Sequence, residues 1–259
     1  MTSSTIPFLS NVVFLGTRIS RKFADSTQRL LSRLIPERLF NYMWVWTLPE
    51  ISENSNLIQK ISVTRFQFQT RLIPGMVTPS ECKLLLSIST FCGIRGDVIE
   101  IGSWLGLSTV YFAKGCMTTQ NGKVYAVDTF MGNVGKKHLY RAPLKNGETI
   151  YNRFLKNIKS VGLEDYIVPC RMSSEQARKK LKDINARVVF IDACHEYEAV
   201  KNDILLWKGL LLKGGFLVLH DFTRGAEGCV QAIKEEVLNS QEFKCVLLSD
   251  SLLIAEKTK

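Results

Sequence analysis

The chain has no CxxC pair, no internal repeat, no low-complexity tract and no apolar run long enough to cross a bilayer. Its second apolar cluster, Leu39–Leu48, is too short for a span. The seven cysteines (82, 92, 116, 170, 194, 229 and 245) are odd in number and scattered. That excludes a zinc ribbon and a disulfide framework, and it points to a reducing, cytoplasmic compartment. Each cysteine reads as a small buried hydrophobe. The order of a secretory leader, positive charge first, is also missing, because the uncharged run Met1–Thr17 precedes Arg18, Arg21 and Lys22. Acidic residues are in the minority: 24 Asp+Glu against 34 Lys+Arg give a net charge of +10. Such a field favours anionic partners, whether phosphates, nucleotide-linked sugars, nucleic acid or an acidic membrane face. The 46% apolar share excludes wholesale disorder. A length of 259 residues allows one large α/β domain, or a smaller one with an extension.

Two parts are expected. Residues 1–75 lack a strand–turn–helix rhythm and interleave Arg18, Arg21, Lys22, Arg29, Arg33 and Arg38 with Phe8, Phe14, Phe23, Phe40, Trp44 and Trp46. A basic, aromatic-rich helical extension of this kind suits peripheral contact with an anionic membrane surface. The other reading is an arm packed on its own domain or on a second copy in a homo-oligomer. Residues 76–259 carry the α/β rhythm. Thr78-Pro79-Ser80-Glu81 opens a helix with an N-cap residue, Pro at the first helical position and Glu three after the cap. Leu84, Leu85, Ile88 and Phe91 then fall on one helical face. Strands are expected at Val98–Ile101, Val124–Val127, Ile167–Pro169, Val188–Ile191, Phe216–Leu219, Lys244–Leu248 and Leu252–Ala255. Helices fit between them at Leu107–Cys116, Thr149–Val161, Ser174–Leu181, Glu196–Leu211 and Cys229–Leu238. The first five strands are short and largely β-branched or aromatic, as expected of strands buried on both faces. This βαβ order implies a Rossmann-like, mostly parallel sheet flanked by helices, with a ligand crevice at the carboxyl ends of the strands.

The chemistry should then sit where strands end. Val98-Ile99-Glu100-Ile101-Gly102-Ser103-Trp104-Leu105-Gly106 runs from a strand straight into a helix, its glycines allowing a tight turn and close approach to a ligand. The E-x-G-x-x-x-G spacing departs from the dinucleotide fingerprint, and an acid beside the glycines would repel pyrophosphate but welcome an ammonium group. Asp128 ends the second strand 22 residues beyond Gly106, where an acid can accept both hydroxyls of a ribose; taken alone it also reads as a helix cap. After the third strand, Met172 and Ser173 could meet an adenine, while Ser174 and Glu175 read as the start of a helix. Asp192 and His195 follow an entirely apolar fourth strand, and His220 and Asp221 follow the fifth, so both pairs should reach one crevice. Tyr197, Val200, Ile204, Trp207 and Leu211 form a 3-4-3-4 stripe, which reads as a helix face against the sheet rather than a substrate cage. The loop Gly132–Gly147, with Lys136, Lys137, Arg141 and Lys145, reads either as a lid for an anionic acceptor or as a solvated loop.

The segments IEIGSWLGLST, VYAVDTF, FIDACHEYEAVKNDILLW and LLKGGFLVLHDF resemble the class I S-adenosylmethionine-dependent methyltransferases. The branch they are most similar to is that of the macrocin-type sugar O-methyltransferases and the cephalosporin-hydroxylase-like group. The likeness covers roughly residues 76–255. It implies a seven-stranded sheet whose last strand is antiparallel. It implies that Glu100, Gly102, Ser103 and Gly106 hold the methionine part of S-adenosyl-L-methionine. Asp128 would take the ribose, flanked by Thr129 and Phe130, and Ser173 would sit by the adenine. Asp192 would contribute to the cofactor site and the catalytic step, and with Asp221 it would bind a divalent ion such as Mg2+. His195 would be the general base acting on a hydroxyl of a small-molecule or sugar acceptor. The sequence departs from the family pattern at Arg171, at Met131 and Asn133, and at Phe222, which follows Asp221 where metal-dependent relatives commonly offer a second oxygen. Two rival functions are a nicotinamide dehydrogenase and a non-catalytic cofactor-binding scaffold. Nucleic acid is not expected as the acceptor, because the fourth strand lacks the Asn/Asp-Pro-Pro-aromatic pattern of base-methylating enzymes.

Overall fold

Five strands rich in apolar residues lie side by side in the computed structural model, which describes residues 63–132, 143–145 and 147–259. They are β1 (Asp97–Ile101), β2 (Val124–Asp128), β3 (Ile167–Arg171), β4 (Ala186–Ile191) and β5 (Leu211–Leu219). With β6 (Phe243–Ser249) and β7 (Leu252–Lys257) they form one seven-stranded sheet in the order β3-β2-β1-β4-β5-β7-β6. The first five pair in parallel, while β7 runs antiparallel to both β5 and β6. This is the expected Rossmann-like, mostly parallel seven-stranded sheet with its last strand antiparallel.

The helices are α1 (Val63–Thr70), α2 (Pro79–Phe91), α3 (Leu107–Thr119), α4 (Ile150–Ser160), α5 (Ser174–Lys180), α6 (Tyr197–Trp207) and α7 (Glu227–Ile233). The chain divides into two compact units, Met1–Gln67 and Phe68–Lys259. Only residues 63–67 of the first are described, so the proposed role of the N-terminal extension lies outside the described residues. Most of the lid reading does too, since residues 133–142 and 146 are not described. Residues 68–75, read from the sequence as the end of the extension, belong to the second unit; Thr70 bonds Tyr111 of α3 through their hydroxyls at 3.0 Å. No helix among the described residues is long and apolar enough to cross a membrane.

Local chemistry sets the elements. Thr78 caps α2 through a reciprocal box with Glu81. The buried face of α2 is Glu81, Cys82, Leu85, Leu86, Ser89 and Thr90; of the expected stripe Leu85 is buried, while Leu84, Ile88 and Phe91 are half-buried. The hydroxyls of Ser89 and Thr90 donate to the Leu86 carbonyl, which lets polar residues lie inside. Gly115 admits α3 against that face, since a Cβ there would fall 1.9 Å from Ser89 Oγ. The α6 stripe is core as read: Val200, Ile204 and Trp207 are buried. The fifth strand, expected from Phe216, begins earlier at Leu211, and Gly214-Gly215 lies within it at a register shift, with Leu211 opposite Ala186 and Phe216 opposite Val188. Gly214 has φ of +80°, and a Cβ on Gly215 would press on the Arg187 carbonyl at 2.7 Å. Arg187 itself is buried, donating to the carbonyls of Ser89, Gly96 and Asn121.

Candidate functional site

The β1–α3 turn is shaped by a carboxylate from the next strand. Asp128 accepts from the backbone N–H groups of Ser103 (3.0 Å) and Trp104 (2.8 Å) with one oxygen, and from Phe130 N–H (2.6 Å) with the other. Its carboxyl is nonetheless raised above the ordinary range, because burial outweighs those three bonds. Gly102 has φ of +91°, and a Cβ there would lie 2.0 Å from the Asp192 carbonyl oxygen. Only glycine lets the end of β4 come so close to the turn.

A cavity opens over these strand ends. Its walls include Gly102, Ser103 and Trp104 from the first turn, Asp128 and Thr129 from the second, Met172 and Ser174 from the third, and Asp192, Ala193, Cys194 and His195 from the fourth. Gly75, Met76 and Val77 close one side and Asp203 of α6 another. The sequence-read residues thus converge, with four differences in placement. Glu100 is fully buried beneath the turn, accepting from the hydroxyls of Ser103 (2.7 Å) and Thr109 (2.5 Å). Burial pushes its carboxyl up to about 7, and its Oε1 has no hydrogen-bond partner among the described residues. Gly106 is the left-handed N-cap of α3. Phe130 packs on Tyr151 and Phe154 with ring centroids 4.9 and 5.0 Å away. Ser173 caps α5, its hydroxyl accepting from Gln176 N–H at 3.3 Å.

At the ends of β4 and β5 two histidines and two aspartates meet, as expected. His195 Nε2 lies 3.0 Å from Asp221 Oδ2. His220 Nδ1 lies 3.1 Å from the same oxygen and 3.3 Å from Asp192 Oδ1. Asp221 is thus placed where it can orient the His195 ring. Asp221 can reach back because its backbone turns left-handed, at φ of +59°, a costly conformation for a non-glycine residue. Burial alone would raise the Asp221 carboxyl, but the His195 and His220 imidazoles hold it well below the usual carboxylate range. Burial alone would lower His220; the carboxylates of Asp192, Asp221 and Glu81 push it far above the ordinary histidine range, so it is an imidazolium at neutral pH.

Sequence reasoning missed the far side of that imidazolium. Glu81, 1% exposed, has Oε2 3.4 Å from His220 Nε2, and its Oε1 accepts from Ser251 N–H (3.0 Å) and Ser251 Oγ (2.7 Å). Glu81 was legible as a capping residue, but nothing in its neighbourhood reveals a partner 139 positions away. Asp203 was missed as well, because its helix shows only a core stripe.

The family comparison matches residues 99–222 to a model described as a methyltransferase domain. No curated protein matches the sequence at a significant level. Among solved structures, cofactor-bound Rv0187 from MTB superposes with a TM-score of 0.57 at 17% identity, covering 75% of this chain and 88% of that one. An O-methyltransferase from Bacillus cereus in complex with SAH gives 0.56 at 17% identity, covering 79% and 91%. The O-methyltransferase TomG from Streptomyces achromogenes, in complex with SAM, gives 0.55 at 14% identity, covering 71% and 82%. Family model and fold agree: residues 99–222 of this chain are a methyltransferase domain, on the class I fold of the S-adenosylmethionine-dependent enzymes that the sequence resembles.

Proposed function

We propose that the chain methylates a hydroxyl of a small-molecule acceptor, a sugar or glycan among the candidates, using S-adenosyl-L-methionine. The observation that carries this reading is the shared cavity: the Gly102–Trp104 turn, Asp128 and the His195–Asp221 pair all face it or border it. Its described lining carries Asp128, Asp192 and Asp203 but no Lys or Arg. Such a lining suits a cationic sulfonium with its ammonium group and disfavours the pyrophosphate of a nicotinamide dinucleotide.

When bound, the cofactor supplies a methyl group on sulfur: the acceptor oxygen–carbon bond forms as the carbon–sulfur bond breaks, the electron pair stays on sulfur, and the hydroxyl proton leaves. Asp128 stiffens the turn and offers its remaining lone pairs to a ribose. His195 takes the hydroxyl proton, and Asp221 on its Nε2 stabilises the imidazolium that results. Asp192, held against His220, contributes negative charge beside the cofactor's positive one. A divalent cation, if used, would sit at Asp192, His195 and Asp221, whose donor atoms lie within 4.8 Å of one another. The fit is incomplete: three donors fall short of a magnesium shell, one is an imidazole, and His220 already supplies positive charge to both carboxylates. The test is mass-spectrometric detection of a label carried from methyl-labelled S-adenosylmethionine to sugar, nucleotide-sugar and phenolic acceptors. A gain of one methyl on a hydroxyl supports the reading; failure of the protein to bind the cofactor at all overturns it.

A further inference from the structure

Asp203 is an acid of the cavity wall that this chemistry leaves unused. It stands on α6, 6% exposed, at the end of the cavity that holds Met172 and Ser174. The Ser174 hydroxyl donates to Asp203 Oδ1. The same Ser174 oxygen accepts from the indole Nε1–H of fully buried Trp207 at 2.8 Å. An indole N–H can only donate, so the single Ser174 proton is committed to Asp203. The carboxylate is therefore oriented from behind by a two-residue chain. Its other oxygen makes no hydrogen bond among the described residues. A carboxylate oxygen without a partner, on a largely buried side chain that lines the cavity, calls for a donor from a ligand.

The position says which donor. The Asp128 end of the cavity is the ribose end under the reading above, and the next strand end towards α6 carries Met172 and Ser174. A base attached to that ribose lies against them. Adenine presents ring nitrogens that accept and one exocyclic amino group that donates, so a carboxylate can bond only the amino group. We propose that Asp203 determines specificity for the base, accepting a hydrogen bond from the 6-amino group of adenine, with Ser174 and Trp207 positioning it. This rests on the reading of the cavity as the S-adenosylmethionine site. Burial pushes the Asp203 carboxyl up to about 6, so it remains an acceptor at neutral pH.

The test is calorimetric titration of the full chain with S-adenosylhomocysteine and with its 6-oxo counterpart, S-inosylhomocysteine. Wild type should prefer the amino ligand by about tenfold or more, since a buried acceptor facing a carbonyl oxygen stays unpaired. Asp203→Asn keeps the shape and the Ser174 contact but presents an amide N–H, so the preference should fall by about tenfold or reverse. Asp203→Ala should lose the preference by weakening the amino ligand alone. Thermal unfolding checks that each variant is folded, and the isosteric Asn variant carries the test if Ala is not. A wild type that does not discriminate, or a folded variant that keeps the wild-type ratio, overturns the proposal. Absence of S-adenosylhomocysteine binding by wild type overturns the site reading itself, and that outcome is seen before any variant is made.

Discussion

Replacing Glu81 by Gln separates two roles that one side chain fills. As the third residue of α2 it accepts from Thr78 N–H at 2.8 Å, a capping contact whose loss costs about 1 kcal/mol. As the counter-charge of the buried His220 it does more. Burial would raise its carboxyl, yet the bonds from His220, Thr78 and Ser251 bring it down from 4.5 to about 2. That drop corresponds to about 3 kcal/mol in favour of the ionised form, and at 1% exposure solvent screens little of it. Glu81→Gln should therefore destabilise the protein by about 3 kcal/mol, or about 6–12 °C in melting temperature for a unit of this size. Thr78→Ala, which removes the cap alone, should cost only about 1 kcal/mol. A folded-state value below the unfolded one means stability present above pH 4.5 and lost as pH falls towards 2. Denaturant unfolding of wild type should show that acid limb, and Glu81→Gln should flatten it. In the Glu81→Gln background, His220→Gln should cost less than it does alone, because the two charges are coupled. A Glu81→Gln protein no less stable than Thr78→Ala, with the acid limb intact, would refute the buried-pair account.

Two further outcomes follow from the turn. Asp128→Ala strands the N–H groups of Ser103, Trp104 and Phe130 and removes the proposed ribose acceptor, so calorimetry should show cofactor affinity weakened by about 1–3 kcal/mol; an unchanged affinity rejects the assignment. Gly102→Ala forces a side chain into a left-handed backbone and against the Asp192 carbonyl, so it should cost at least about 1–2 kcal/mol in thermal unfolding and displace the β4 end. A Gly102→Ala protein with wild-type melting temperature and cofactor affinity would show that the close approach is not required.

The strand ends were legible because buried parallel strands are written as short, mostly apolar runs, and the polar residue that ends each run marks the crevice. Asp128, Asp192 and Asp221 were found that way. The fifth strand was started at Phe216 rather than Leu211 because a glycine pair signals a turn and a bulge equally; the deciding fact, the Arg187 carbonyl in the way of a side chain, comes from another strand. Glu81 and Asp203 carried only local readings, a cap and a place beside a core stripe. Their contacts in the structure are with Ser251, His220 and Ser174, which lie 170, 139 and 29 residues away along the chain. Pattern reading sees periodicity within an element and has no access to such pairings.

The central claim, that His195 beside Asp221 removes the acceptor's proton in a cavity that binds S-adenosylmethionine, is tested most directly by comparing wild type with His195→Ala. The measurement pairs calorimetric titration of S-adenosylhomocysteine with the rate of labelled methyl transfer to the acceptor found in the screen. The account predicts cofactor affinity close to wild type, because the proposed ribose and turn contacts, at Asp128 and Gly102–Trp104, lie on other strand ends, and a transfer rate lower by about 10²–10⁴. A His195→Ala protein that transfers methyl at the wild-type rate would contradict it.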